Sequence, residues 1–156
     1  RKAGRTLEEV YEWLLKERSR VCHWFTVEDL FHLQRGGRIS LVSAALGSAF
    51  LVKPILTVDH NGGLQNTGKV RGRKKALKTL VEALDAQIEH DSSGSVVGHC
   101  DAIEEAQMLK SMIQERYQNH NIMIWPIGAV IGSHTGPGTL ALFFWRRQGG
   151  DYASEL

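Results

Sequence analysis

Residues 52–70 read VKPILTVDHNGGLQNTGKV, two strand-like runs on either side of His60-Asn61-Gly62-Gly63. Asn and Gly accept the positive φ angles of a tight chain reversal, so the stretch reads as a β-hairpin. Pro54 has no amide hydrogen and points to an edge or strand-start position. One antiparallel pair in the middle of the chain frames the segments around it.

Upstream, Thr6 followed by Glu9 makes a capping box, and Leu7, Val10, Leu14 and Leu15 recur at helical spacing, which predicts a helix over about residues 7–18. VCHWFTV (21–27) is a strand. EDLFHLQRGG (28–37) is a short helix stopped by Gly36 and Gly37, and ISLVSAALGSAF (39–50) is a small-residue helix. Downstream, Leu77, Leu80, Val81, Leu84 and Ile88 share one helical face until DSSGS (91–95) breaks the pattern, and SVVGH (95–99) is a short buried strand. Asp101 and Glu104 are expected to cap a third long helix with Ala106, Leu109, Ile113 and Tyr117 facing inward; IMIWPIG (122–128) and TLALFFWRR (139–147) then supply two more strands. The expected architecture is α/β, a mixed or mostly antiparallel sheet covered by helices, in a single domain over residues 1–156.

With 42% hydrophobic residues and a formal charge of +2, 156 residues can bury one ordinary core, which excludes a disordered chain. The longest apolar runs fall well short of the ~18 residues of a spanning helix, and no signal-peptide pattern opens the chain, so a cytoplasmic protein is expected. The opening RKAGRTLEEVYEW lacks Met and enters helical patterning almost at once, as expected of a piece of something longer. Cys22 and Cys100 are too few for a disulfide framework; reduced thiols are expected, with one bridge between them left open.

Cys22-His23 and His99-Cys100 lack the spacing that lets one turn present two zinc ligands, so no metal site is expected. GSHTGPG (132–138) has neither the lysine of a phosphate loop nor the serine of a nucleophile elbow. KVRGRKKALK (69–78) carries six cations and no acid where a helix is expected to begin. Cations there oppose the helix dipole, which points to an anionic partner, against the alternative of a merely solvated face.

GGRIS (36–40), LVKPIL (51–56), GKVRGRKKAL (68–77), GHCDAIEEA (98–106) and IGSHTGPGT (131–139) occur in the order, and at roughly the spacing, of the DegV family, and the resemblance spans nearly the whole chain. It implies the C-terminal domain of a two-domain, DegV-like fatty-acid-binding protein. Characterised members present a bound long-chain fatty acid to an ATP-dependent fatty acid kinase, which phosphorylates the carboxylate to an acyl phosphate. The family's N-terminal half, with Thr and Ser residues that help to hold the carboxylate, has no counterpart here, so weak binding by this chain alone is expected.

Carried over by motif, the resemblance places His134 on the carboxylate, with Thr135, Gly136 and Gly138 in the same turn. An imidazole N–H can donate to a carboxylate, glycines allow close backbone approach, and Pro137 stiffens the turn. Arg38 is a candidate headgroup cation, with an ordinary loop salt bridge as the alternative. Leu46 and Phe50, together with Leu41, Val42 and Ala45, are candidate tunnel walls, and the apolar run after His134 is a further wall for the lipid tail. Burying ~14 methylenes at ~0.8 kcal/mol each gives roughly 11 kcal/mol gross, against ~1.5–3 kcal/mol for a charge-assisted hydrogen bond, so the tail sets affinity and His134 orientation. Arg71, Arg73 and Lys74 are expected to dock the kinase. The chain is read as a carrier with no catalytic residue, metal or cofactor of its own. Transient contact with a membrane surface stays open. Two alternatives remain: a substrate-binding domain like that of dihydroxyacetone kinase acting on a small carbonyl compound, and a nucleic-acid binder, which the scarcity of aromatic residues in the basic cluster disfavours.

Overall fold

The computed structural model describes residues 2–37, 51–89 and 94–147. The hairpin forms as β2 (Val52–Val58) antiparallel to β3 (Leu64–Arg71). At its turn the Asp59 carboxylate accepts the amides of Asn61 at 2.9 Å and Gly63 at 2.8 Å, while Gly62 takes φ 82°. Hydrogen bonds from the Gln65 side chain and the Gly63 amide hold the Asp59 carboxyl below its ordinary range.

Among the described residues six strands form one sheet in the order β3-β2-β1-β6-β4-β5. Neighbours are antiparallel except β4 (Ser95–His99) beside β5 (Ile122–Pro126), whose parallel pairing requires a crossover. Helix α4 (Ile103–Gln114) supplies it. Pro54 lies third in β2, which is an interior strand and not an edge. It is tolerated there because β1 (Val21–Thr26) pairs with β2 only at Thr57 and Leu56, so the missing amide falls beyond that ladder.

Helix α3 (Arg73–Gln87) and α4 cover one face of the sheet. Leu77, Leu80, Val81 and Leu84 from α3, and Ala106, Leu109 and Ile113 from α4, pack on Trp24, Val97, Leu140, Leu142 and Phe144. Ile88 joins the same core just past α3, as the helical spacing predicts. The other face holds a smaller core of Phe25, Val27, Leu33, Leu56 and Ala141, to which α2 (Leu30–Arg35) contributes Leu33. Strand β6 (Leu140–Trp145) sits between β1 and β4 and sends alternate residues into each core.

Helix α1 (Leu7–Glu17) carries the expected capping box of Thr6 and Glu9, yet Leu7, Tyr11 and Leu14 stay exposed and Trp13 meets the Trp145 ring at 5.9 Å. The start of α4 differs from expectation. Asp101 turns the chain at φ 46° without capping, Ala102 is the N-cap and makes no side-chain bond, and its amide donates to His99 Nδ1 at 3.3 Å. Tyr117 lies past the end of α4 and its hydroxyl donates to Asp85 Oδ1 at 3.0 Å. Cys22 and Cys100 are both free thiols; burial pushes Cys22 up to about 11. No helix among the described residues is long and apolar enough to cross a membrane. The predicted helix at 39–50 lies outside the described residues.

His23, on β1, meets the Phe143 ring edge-on at 5.3 Å, and His120 Nε2 lies 2.7 Å from Ser95 Oγ. Burial lowers the pKa of both imidazoles, so the unfolded chain binds their protons more readily. Their contribution is present above the ordinary histidine value of about 6.5 and is lost as pH falls through it. The urea midpoint should therefore drop between pH 7 and pH 5, and the variant His23→Gln/His120→Gln should flatten that slope. An equal slope in the variant would assign the pH dependence to other groups.

Candidate functional site

The 132–138 turn comprises the last residues of helix α5 (Ala129–Thr135) and the reversal at Gly136–Gly138 that leads into β6. Gly136 at φ 81° and Gly138 at φ 80° occupy the left-handed region that disfavours other residues. The Gly138 amide donates to Cys100 O at 2.8 Å, and Thr139 Oγ1 lies 2.8 Å from Gly136 O. The turn is thereby joined to the end of β4 and closed on itself.

Its placement depends on a reciprocal clasp with α2. A Cβ added to Gly136 would come within 2.7 Å of His32 Cγ, and one added to Gly36 within 3.0 Å of His134 Nδ1 and 3.3 Å of its Cα. Each histidine thus packs over the other segment's glycine. His32 Nε2 donates to Ser133 O at 3.0 Å, which leaves its Nδ1 to accept from Arg35 Nη2 at 3.3 Å. On the far side, a Cβ at Gly138 would meet Glu28 Cβ at 2.5 Å. Glu28 is held by buried Lys53, whose Nζ reaches Glu28 Oε1 at 2.5 Å and Glu28 O at 3.0 Å.

His134 is half-buried in the last turn of α5. Thr135 is buried, and its hydroxyl donates to Ile131 O at 3.1 Å, so that group serves the helix end. The apolar run after the turn is buried from Leu140 to Leu142 and at Phe144, while Phe143 and Trp145 are half-buried. Leu140, Leu142 and Phe144 are spent on the main core because β6 is a central strand. The apolar side chains exposed on α5 are Val130, 76% exposed, and Ile131, 56%, with Phe31 exposed on the partner helix α2 of the clasp. Arg38, Leu46 and Phe50, with Leu41, Val42 and Ala45, lie outside the described residues. Among the described residues no group of three His, Cys, Asp or Glu side chains could hold a metal ion.

The basic segment divides in two. Arg71, Lys74, Lys75 and Lys78 are exposed and, with Arg73 at the rim and the acid Glu82, line a groove of about 570 Å³ between α3 and Met112 of α4. The first turn of α3 holds no acid, and its N-cap, Gly72, makes no side-chain cap, so the dipole stays uncompensated by the helix itself. Arg73 departs from the expectation of a docking cation. Its side chain is 16% exposed, its Nε and Nη2 fork onto Glu105 Oε1 and Oε2 at 2.9 and 2.7 Å, and Nη2 also donates to Gly138 O. The contacts of His32, Glu28 and Glu105 carried no signal in the sequence, although Glu105 stands within the GHCDAIEEA motif, because they join segments far apart in the chain. Gly36 was visible as a helix stop and within the GGRIS motif, but not as the partner of His134.

A profile of the DegV family, described as uncharacterised protein, matches residues 1–147. A DegV domain-containing protein of Clostridium perfringens is 46% identical over 145 residues, 92% of this chain and 50% of its own length. Two solved structures are similar: DegV, a fatty acid binding protein from Bacillus subtilis, at 34% identity and TM-score 0.72 over 94% of this chain and 52% of that one, and the fatty acid kinase B3 protein of Streptococcus pneumoniae loaded with linoleic acid. The second shares the fold at TM-score 0.80 with 20% identity, over 93% of this chain and 51% of that one. The chain spans about half the length of the curated relatives it matches.

Gly136→Ala meets both the strained φ and the His32 ring, and should lower stability by about 1–3 kcal/mol. Chemical denaturation checks the size, and a loss confined to a few tenths would mean that the clasp yields freely.

Proposed function

Because the chain belongs to the DegV family, we propose that it supplies the histidine side of a site for the carboxylate of a long-chain fatty acid, in a carrier serving a separate ATP-dependent kinase. One observation carries the reading: the clasp holds His134 at a rigid, glycine-lined turn, on a helix whose Val130 and Ile131 remain exposed for a lipid tail. The Bacillus subtilis relative, described as binding fatty acid, supports the ligand class. The kinase pairing rests on the family resemblance and on the exposed cations. The family resemblance implies further carboxylate ligands on another half of the fold, in keeping with relatives of about twice the length, beside the candidate cation Arg38.

His134 acts by donating a ring N–H to the carboxylate, which fixes the head of the ligand while the tail supplies most of the affinity. The groove of Arg71, Lys74, Lys75 and Lys78 receives the kinase's acidic surface. Arg71 and Lys74 are the leading contacts, since Arg73 faces inward.

Oleic acid followed by NMR titration should bind His134→Ala about tenfold more weakly than wild type, the worth of one charge-assisted bond. Equal affinity would remove His134 from the site, and capture of a small hydroxyketone instead of oleic acid would favour the carbonyl-substrate reading. Arg71→Ala with Lys74→Ala should leave oleic acid binding unchanged and raise the carrier concentration needed for kinase-dependent acyl phosphate formation. Added salt should narrow the gap between this variant and wild type. The same concentration dependence for both across a salt series would make the cluster a solvated face.

A further inference from the structure

We propose that Arg73 is a positioning residue for the 132–138 turn, tying the cationic end of α3 to the histidine clasp so that an anion docked in the groove is felt at His134. The proposal rests on the reading of that turn as the headgroup site.

Arg73 stands in sequence among exposed cations, yet its side chain turns inward. Its fork holds Glu105, in the first turn of α4, and its Nη2 donates to Gly138 O. Its Nη1 has no hydrogen-bond partner and lies 3.9 Å from Glu28 Oε2, the same Glu28 whose Cβ presses on Gly138. One guanidinium therefore touches the turn's carbonyl, the start of α4 and the acid packed beneath the turn. Gly138 is held from both sides, by Cys100 O on its amide and by Arg73 on its carbonyl.

The chemistry requires arginine. A planar fork spans two carboxylate oxygens and a carbonyl at once, whereas an ammonium concentrates its three donors on one atom. The location is costly for a cation, at a helix N-terminus beside Arg71, Lys74 and Lys75, and the pairing with Glu105 and Gly138 offsets that cost. Partial burial also keeps these bonds from being screened as surface pairs are. An anion in the groove acts on the same first turn of α3 that carries Arg73, and any shift of that turn passes to Gly138 through a single side chain.

Amide hydrogen exchange tests the tether without any fatty acid. In Arg73→Gln the Gly138 and Cys100 amides should exchange about tenfold faster, the worth of one charge-assisted hydrogen bond, with Val97 in β4 keeping its protection. Arg73→Lys should behave as Arg73→Gln; recovery of wild-type protection in the lysine variant would overturn the proposal, as would unchanged Gly138 and Cys100 protection in the glutamine variant. Should Arg73→Gln not fold, Glu105→Gln loosens one anchor of the fork and should speed the same amides, and no change there would equally overturn it. Poly-L-glutamate added to wild type should shift the Gly138 and His134 resonances, and the shifts should vanish in Arg73→Gln; an identical response in both proteins would remove the coupling. Faster Gly138 exchange in Arg73→Gln, combined with oleic acid affinity untouched in His134→Ala, would uphold the tether and refute the headgroup reading.

Discussion

Burial of β6 on both faces is the constraint on which the rest of the structure depends. Leu140, Leu142 and Phe144 complete the core beneath α3 and α4, and Ala141 completes the core on the opposite face. The strand is hydrogen-bonded along both edges, to β1 and to β4. Apolar side chains removed from water on two sides leave little freedom in register, since a slip by one residue would exchange the two sets. The turn that opens β6 inherits that fixity. His134 is consequently placed by the strand that follows it.

A second layer of order is steric and polar. The His32/Gly136 and Gly36/His134 contacts work only because two glycines withhold a methyl group, and at Gly136 the backbone also takes a conformation that side chains resist. Beneath them, Lys53, Glu28, Arg73 and Glu105 form a partly buried chain of charges of alternating sign. Such a chain is tolerated because each charge meets an opposite neighbour, and removing one member would leave the next uncompensated. The arrangement joins α2, β2, α3 and α4 around one short turn.

The basic segment shows how one run of like residues splits in role. On β3 and the first turns of α3, Arg71, Lys74, Lys75 and Lys78 are exposed around the groove, while Arg73, also at its rim, is only 16% exposed and is paired with Glu105. The roughly 100° rotation per residue carries the Arg73 side chain toward Glu105 and Gly138 while Lys74, one position on, stays exposed. Adjacent Arg73 and Lys74 therefore serve a structural tether and an open surface respectively.

The sequence by itself determined the elements whose signals are local. The Asn-Gly-Gly reversal specified the hairpin, the Thr6 and Glu9 pair specified the start of α1, and the spacing of Leu77, Leu80, Val81 and Leu84 specified the buried face of α3, because turn chemistry, capping and periodicity act within a few residues. The motif around His134 was legible as well. Only the tertiary structure decided that Pro54 sits in an interior strand, that β6 is a central strand whose Leu140, Leu142 and Phe144 fill the main core, and that His32, Glu28 and Glu105 belong around the turn. Each of those depends on which distant segments become neighbours. It was also the packing, and not the run of cations, that turned Arg73 inward, since Glu105 lies 32 residues away in sequence and reaches it only once α3 and α4 lie side by side on the sheet.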